Sequence, residues 1–278
     1  MTYFEITLVV ATGAFFAGML GAMTGLGGGV VIVPLLTLGL GVDIRYAIGA
    51  SLVAVIATSS GAAAAYVKEG YSNIRIGMFL EIATTVGALV GAFLAGILST
   101  QVIAIIFGLV LIYSAYLSGR HHEDHGIDLT PNPMADRLRM NSTYPTPEGI
   151  KKYTVHSIGA GFGLMGVAGI LSGLLGIGSG AVKVLAMDRA MRLPFKVSTT
   201  TSNFMIGVTA AASAGVYFNR GYIDPALSMP VMLGVLTGSL IGARLLMVVK
   251  THILRIIFGV VVFVLAIEMI YNGIAGKI

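Results

Sequence analysis

Apolar residues in this chain fall into long unbroken runs rather than the spaced stripes of a soluble amphipathic helix. The runs lie at about residues 5–23, 46–66, 76–98, 101–118, 153–175, 200–218, 226–249 and 253–272. Most approach the roughly 20 residues that carry an α-helix across a bilayer. Two shorter apolar pieces, at about 29–40 and 181–191, follow the stretches Gly25-Leu26-Gly27-Gly28-Gly29 and Gly176-Ile177-Gly178-Ser179-Gly180. Each is too short to span unaided, and reads as part of a Gly-broken helix or a re-entrant hairpin.

Displacing the chain on itself by 151 residues aligns 18–118 with 169–269, without a gap and with 26 identities in 101 positions. Gly25, Gly27 and Gly29 meet Gly176, Gly178 and Gly180; Ser51 meets Ser202; Tyr66, Gly70 and Tyr71 meet Tyr217, Gly221 and Tyr222. One constant offset marks a duplication, since shared composition would scatter its coincidences. Basic residues decide how the copies are oriented, because cytoplasmic loops collect Lys and Arg. If each short piece returns to the side its long partner started from, 13 basic residues share one side and Arg45, Arg220 and Lys277 the other. If each pair crosses once, the split is 9 to 7. The expected fold is therefore an all-α membrane helix bundle of two inverted-topology repeats, 1–118 and 153–278. The polar stretch 119–152, with Pro131, Pro133, Pro145 and Pro147, reads as a cytoplasmic linker. Both termini are expected outside.

Composition supports the same class. Hydrophobic residues make up 56% of the 278 and charged residues only 10%, against about 25% charged in soluble domains, so a soluble fold is excluded. The 38 glycines fit close helix approach in a membrane bundle. The charge of +5 sits mostly between apolar runs, where it orients helices; nucleic-acid binding is not indicated. With no cysteine, disulfides and thiolate metal sites are excluded. Met1 to Thr7 contains Glu5 and no Lys or Arg, unlike the basic start of a cleavable signal peptide, so the first apolar segment is expected to remain.

Two broken helices in a duplicated membrane protein point to a site near the midplane. Backbone N–H groups freed at the breaks, together with the positive ends of the half-helices, favour an anion. The first candidates are Gly27, Gly28, Gly29, Gly178, Ser179 and Gly180; the bland reading makes the same glycines close-packing residues. Ser51 and the run Thr199-Thr200-Thr201-Ser202-Asn203 stand symmetrically at what read as helix starts, where hydroxyls and amides bind an oxyanion or cap the helix. Of these Ser51, Thr200, Thr201, Ser202 and Asn203 are site candidates. Lys183, where the first repeat has Ile32, is a counter-charge for the substrate unless it snorkels or pairs with Asp188. Glu81 and Glu268 lie within spans and are candidates for coupling to protons, although Glu81 stands near enough to its helix start for an interfacial role. Arg244, near a helix end, reads as snorkelling.

His121, His122 and His125 sit beside Glu123 and Asp124 in the polar linker, where a solvated loop is favoured over a metal site. Gly178-Ser179-Gly180 faintly resembles a serine-nucleophile turn, but no base and acid are within evident reach. No enzyme, cofactor or metal is implied.

Gly18-Met19-Leu20-Gly21 before the first Gly-rich stretch, then Pro34 and Gly49-Ala50-Ser51, resemble the TauE/SafE sulfite exporter family. Gly173 to Gly180 followed by Thr200-Thr201-Ser202-Asn203-Phe204 is similar to that family's second copy. The resemblance spans nearly the whole chain apart from the linker. It implies an inner-membrane carrier moving sulfite or related organosulfonates, usually outward. The residues alone reach an anion near the midplane, and leave open an importer of another sulfur-containing anion or an anion channel. Ile48-Gly49-Ala50 departs from the second copy's threonine-rich run.

Overall fold

A computed structural model describes residues 3–24, 28–68, 72–119, 130, 132–146, 149–245 and 251–278. The first half comprises α1 (Tyr3–Thr24), α2 (Gly29–Pro34) continuing into a π-helical turn (Leu35–Gly39), α3 (Ile44–Lys68), α4 (Ile74–Ala95) and α5 (Thr100–Gly119). A short helix α6 (Pro133–Arg137) and strands β1 (Ser142–Thr146) and β2 (Gly149–Tyr153) follow. The second half comprises α7 (Ile158–Leu175), α8 (Gly180–Leu185) with its own π-helical turn (Ala186–Ala190), α9 (Phe195–Asn219), α10 (Pro225–Leu245) and α11 (Thr251–Ile274). From α8 to the end of α9, every boundary lies 151 residues after its counterpart in α2 to α3. The π turn recurs although Pro34 is replaced by Leu185, so the missing proline N–H is not its cause.

Helix starts are set by local side chains. Asn73 caps α4 by accepting from the N–H of Ile76, and its counterpart Asp224 accepts from Ala226 ahead of α10. Pro194, the N-cap residue of α9, is extended, and its carbonyl accepts the Ser198 N–H as the helix begins at Phe195.

Close contacts give the running directions. Gly49 on α3 packs against the carbonyl of Tyr222, just past α9, whereas Ser59 further along α3 meets Gly207 in the middle of α9. Rising numbers on one helix meet falling numbers on the other, so α3 and α9 are antiparallel. The same holds for α5 and α11, where Gly108 faces Ala266 and Ile270 while Gly273 faces Gln101 and Ile105. In contrast α4 runs parallel to α7, with Gly87 against the Gly166 carbonyl and Gly91 against that of Ile170. A Cβ at Gly87 would overlap that carbonyl; backbone contact of this kind suits a membrane, where packing rather than water exclusion holds helices together.

The outer surface is apolar. Met78, Ile82, Val86 and Phe93 of α4 point outward while Gly87, Ala88 and Gly91 point in, a pattern suited to lipid. Among the described residues, α4, α7 and Pro225–Gly242 of α10 are long and apolar enough to cross a membrane. The chain is a multi-pass membrane protein.

The polar stretch carries its own structure. β1 and β2 pair antiparallel from Ser142 with Tyr153 to Thr146 with Gly149. Ala135, Met140, Tyr153 and Val155 pack in one cluster with Ile76 and Leu80 of α4 and with Met187, Met191 and Val197. The apolar run expected from residue 153 therefore starts its helix later: Tyr153 closes β2, and Ser157, at φ 44°, turns the chain into α7.

Candidate functional site

In the second half the break between α7 and α8 is built from left-handed residues: Gly176 at φ 67°, Gly178 at 70° and Ser179 at 41°. Glycine reaches that region freely; serine does so at a cost. Ser179 is held by its hydroxyl, which donates to the Ala168 carbonyl of α7. In the first half Gly25 to Gly27, and with them the candidate Gly27, lie outside the described residues. Gly28, at φ −65°, and Gly29 are buried and open α2.

The two breaks meet through Ser51. Its hydroxyl, on α3, donates to the Gly176 carbonyl at 2.8 Å. Gly29 fits against both groups: a Cβ there would lie 2.7 Å from Ser51 Oγ and 2.9 Å from Gly176 O. Gly178 and Gly180 pack on Ile206 of α9, with Val55 of α3 beside Gly178. Pieces of α2, α3, α8 and α9 thus converge, with the first N–H groups of two half-helices that have no partner within their own helix.

The polar run of α9 is placed differently from its sequence reading. Because the helix starts at Phe195, Thr199 to Asn203 occupy its second and third turns rather than its cap. Thr199 donates to the Phe195 carbonyl and Thr200 to that of Lys196, at 2.9 Å each. Those hydroxyls are spent on the preceding turn, a common fate for threonine inside a helix. Ser51, likewise, lies two turns into α3 rather than at its start. Thr201 accepts the N–H of Asn73 at 3.0 Å. Ser202 stands beside the break, 3.4 Å from the Gly180 carbonyl. Asn203 is half-buried and makes no hydrogen bond among the described residues.

Lys183 is fully buried, so it does not snorkel. Its Nζ donates to Thr209 Oγ1 at 2.5 Å, and that hydroxyl stands 2.7 Å from Glu81 Oε1. Thr85 Oγ1 donates to the same carboxylate oxygen at 3.2 Å. Glu81 Oε2 is buried and accepts no hydrogen bond among the described residues. Glu81 is buried against neighbouring helices, at 7% exposed, on α4, which begins at Ile74. Asp188 stands 3.9 Å from Arg189. Glu268 is exposed on α11, where its carbonyl accepts from Asn272, and is not gathered with Glu81. The linker residues His121, His122 and His125 and the side chain of Arg244 lie outside the described residues. Among the described residues no three metal-ligating side chains come together.

Thr209 was not singled out from sequence, yet a signal was present: it aligns with Thr58 at the repeat offset. A polar residue retained in both copies within an apolar run marks a hydrogen-bonding position.

The family pattern described as sulfite exporter TauE/SafE matches residues 10–269. The chain belongs to the TauE/SafE sulfite exporter family. Its relatives include the probable membrane transporter protein YunE of Bacillus subtilis, 26% identical over 266 residues that cover 93% of this chain and 95% of the relative. A probable membrane transporter protein of Methanocaldococcus jannaschii, MJ0441, is 26% identical over 281 residues, covering 95% of each. YjnA of Bacillus subtilis, also a probable membrane transporter protein, is 28% identical over 268 residues, covering 92% of this chain and 96% of that one. No solved structure matches. Membership in the family and these relatives make the chain a membrane transporter.

Proposed function

We propose that this transporter exports a small sulfur oxyanion, sulfite or a related organosulfonate, across the bacterial inner membrane by alternating access. The anion binds near the midplane, where the two Gly breaks meet. The observation that carries this reading is the Ser51–Gly176 hydrogen bond with Gly29 packed on it, which joins the break of one half to that of the other. The first N–H groups of two half-helices, which have no partner within their own helix, suit an oxyanion, and the family description supports sulfur as its central atom. Gly28, Gly29, Gly178, Ser179 and Gly180 form the cradle, with Ser51, Thr201, Ser202 and Asn203 around it; Gly27 is assigned to it from the sequence alone. Thr200 serves it by ordering the helix.

The two halves are inverted repeats in this reading. Antiparallel α3 and α9, and antiparallel α5 and α11, support it. Residues 119–152 face the cytoplasm and both termini the periplasm.

Sulfite efflux from proteoliposomes, measured at alkaline pH where sulfite is ionised and leaks little, tests the substrate. Wild type is expected to release sulfite faster than empty vesicles, with Ser202→Ala slowed. A silent wild type that moves another sulfonate would overturn the substrate and leave the transporter; a unitary current would replace the carrier by a channel.

A further inference from the structure

Lys183, Thr209 and Glu81 bring an ammonium and a carboxylate into the interior without letting them touch. Lys183 reaches in from α8, Thr209 from α9 and Glu81 from α4. The Thr209 hydroxyl stands between, accepting from Nζ, with Glu81 Oε1 at 2.7 Å and the Met205 carbonyl at 2.9 Å as the acceptors its one proton can reach. A direct ion pair would satisfy both groups more fully. Here two of the three Lys183 N–H donors, and Glu81 Oε2, have no hydrogen-bond partner among the described residues.

The charged surroundings are sparse. Helix α7, packed on α4, has no titratable side chain. Helix α9 carries Lys196 in its first turn and Tyr217 in its last third. The π turn after α8 adds Asp188 and Arg189, which stand 3.9 Å apart. Arg75, at the start of α4, donates to the Arg139 carbonyl. Glu81 and Lys183 act on one another electrostatically.

We infer that this triad is a counter-ion switch that makes transport of a singly charged anion proton-coupled. The inference rests on the proposed anion-carrier function. With no substrate, the Glu81 carboxylate balances the Lys183 ammonium. A bound anion accepts the two free N–H groups of Lys183, and Glu81 takes one proton on Oε2. The balance closes in both states: one positive and one negative charge when empty, the same when loaded, with Glu81 neutral. Either state therefore moves through the membrane interior without a net charge, which the low dielectric would penalise. The device belongs to one half. Ile32 and Met232 occupy the positions equivalent to Lys183 and Glu81.

The test uses the full chain in proteoliposomes, with sulfite at alkaline pH for flux alone and with 2-hydroxyethanesulfonate, a singly charged sulfonate that does not cross lipid unaided, for the proton count. Labelled anion and internal pH are followed together while valinomycin and potassium set the membrane potential. Wild type is expected to move one proton per anion in the same direction, at a rate insensitive to potential. Glu81→Gln is expected to exchange labelled for unlabelled anion, but to carry net flux without protons and with a dependence on potential. Glu81→Asp should restore the proton count at a lower rate. Anion flux without protons in wild type would overturn the switch and leave the transporter standing, whatever the fate of the variants. Movement of neither anion would remove the sulfur-anion reading and the switch with it.

Discussion

Arg45, in the first turn of α3, and Arg220, at the end of α9, bind the same helix end. Arg45 donates from Nε and Nη2 to the carbonyls of Ala95 and Leu98, and Arg220 donates from Nη1 to those of Ala92 and Phe93. Carbonyls at a helix C-terminus lack partners within the helix and carry the negative end of its dipole, so two guanidinium groups suit that place. The beginning of one helix and the end of its counterpart therefore share one face of the bundle.

That relationship predicts a labelling pattern. In this cysteine-free chain, Asp43→Cys and Asp224→Cys, both at exposed positions on the Arg45–Arg220 face, should react from outside with a membrane-impermeant maleimide in intact cells. Ile150→Cys in β2 should react after permeabilisation and not before. Reaction of Asp43→Cys and Asp224→Cys from opposite sides would rule out the shared face.

Removing one member of the buried Lys183–Glu81 pair should cost more than removing both. Lys183→Met strands the carboxylate, at a penalty of about 3 kcal/mol. The double variant Lys183→Met/Glu81→Gln should recover most of the thermal stability in detergent and none of the transport. If the double variant is as unstable as the sum of the singles, the two charges are not coupled.

Gly178 sits at φ 70° with Ile206 of α9 beside it; a Cβ would lie 2.9 Å from Ile206 Cγ2. Gly178→Ala should lower stability by about 1–2 kcal/mol through the left-handed backbone alone. Gly163→Ala is the matched control, in helix α7 with open space for a Cβ, and should be neutral or slightly stabilising. Melting curves of the two variants settle the comparison.

Asn73 ties the polar segment to the membrane helices. Its carboxamide oxygen caps α4, and its Nδ2 donates to the Met140 carbonyl at 3.0 Å and to the Tyr153 hydroxyl at 2.8 Å. Asn73→Ala should cost about 1 kcal/mol for the cap and speed limited proteolysis between Ser142 and Tyr153. Asn73→Asp keeps the capping oxygen and loses the donors, so it should speed proteolysis with a smaller loss of helix stability. Equal protection of the hairpin in all three proteins would show that Asn73 does not anchor it.

The long helices, the two short ones and the 151-residue offset were legible in the sequence because each depends on residues near in the chain: unbroken apolar runs, glycines at the breaks, and identities at a constant spacing. Family membership was legible for the same reason. What the sequence could not place was anything decided by contacts between distant segments. That α9 starts at Phe195, and so puts the Thr200 hydroxyl on the Lys196 carbonyl, was one such feature. Lys183 and Glu81 stood as separate oddities, 102 residues apart, with no periodicity to relate them. Thr209 joins them because α4, α8 and α9 pack around one interior point, and a buried charge takes whichever partner packing brings within hydrogen-bond reach.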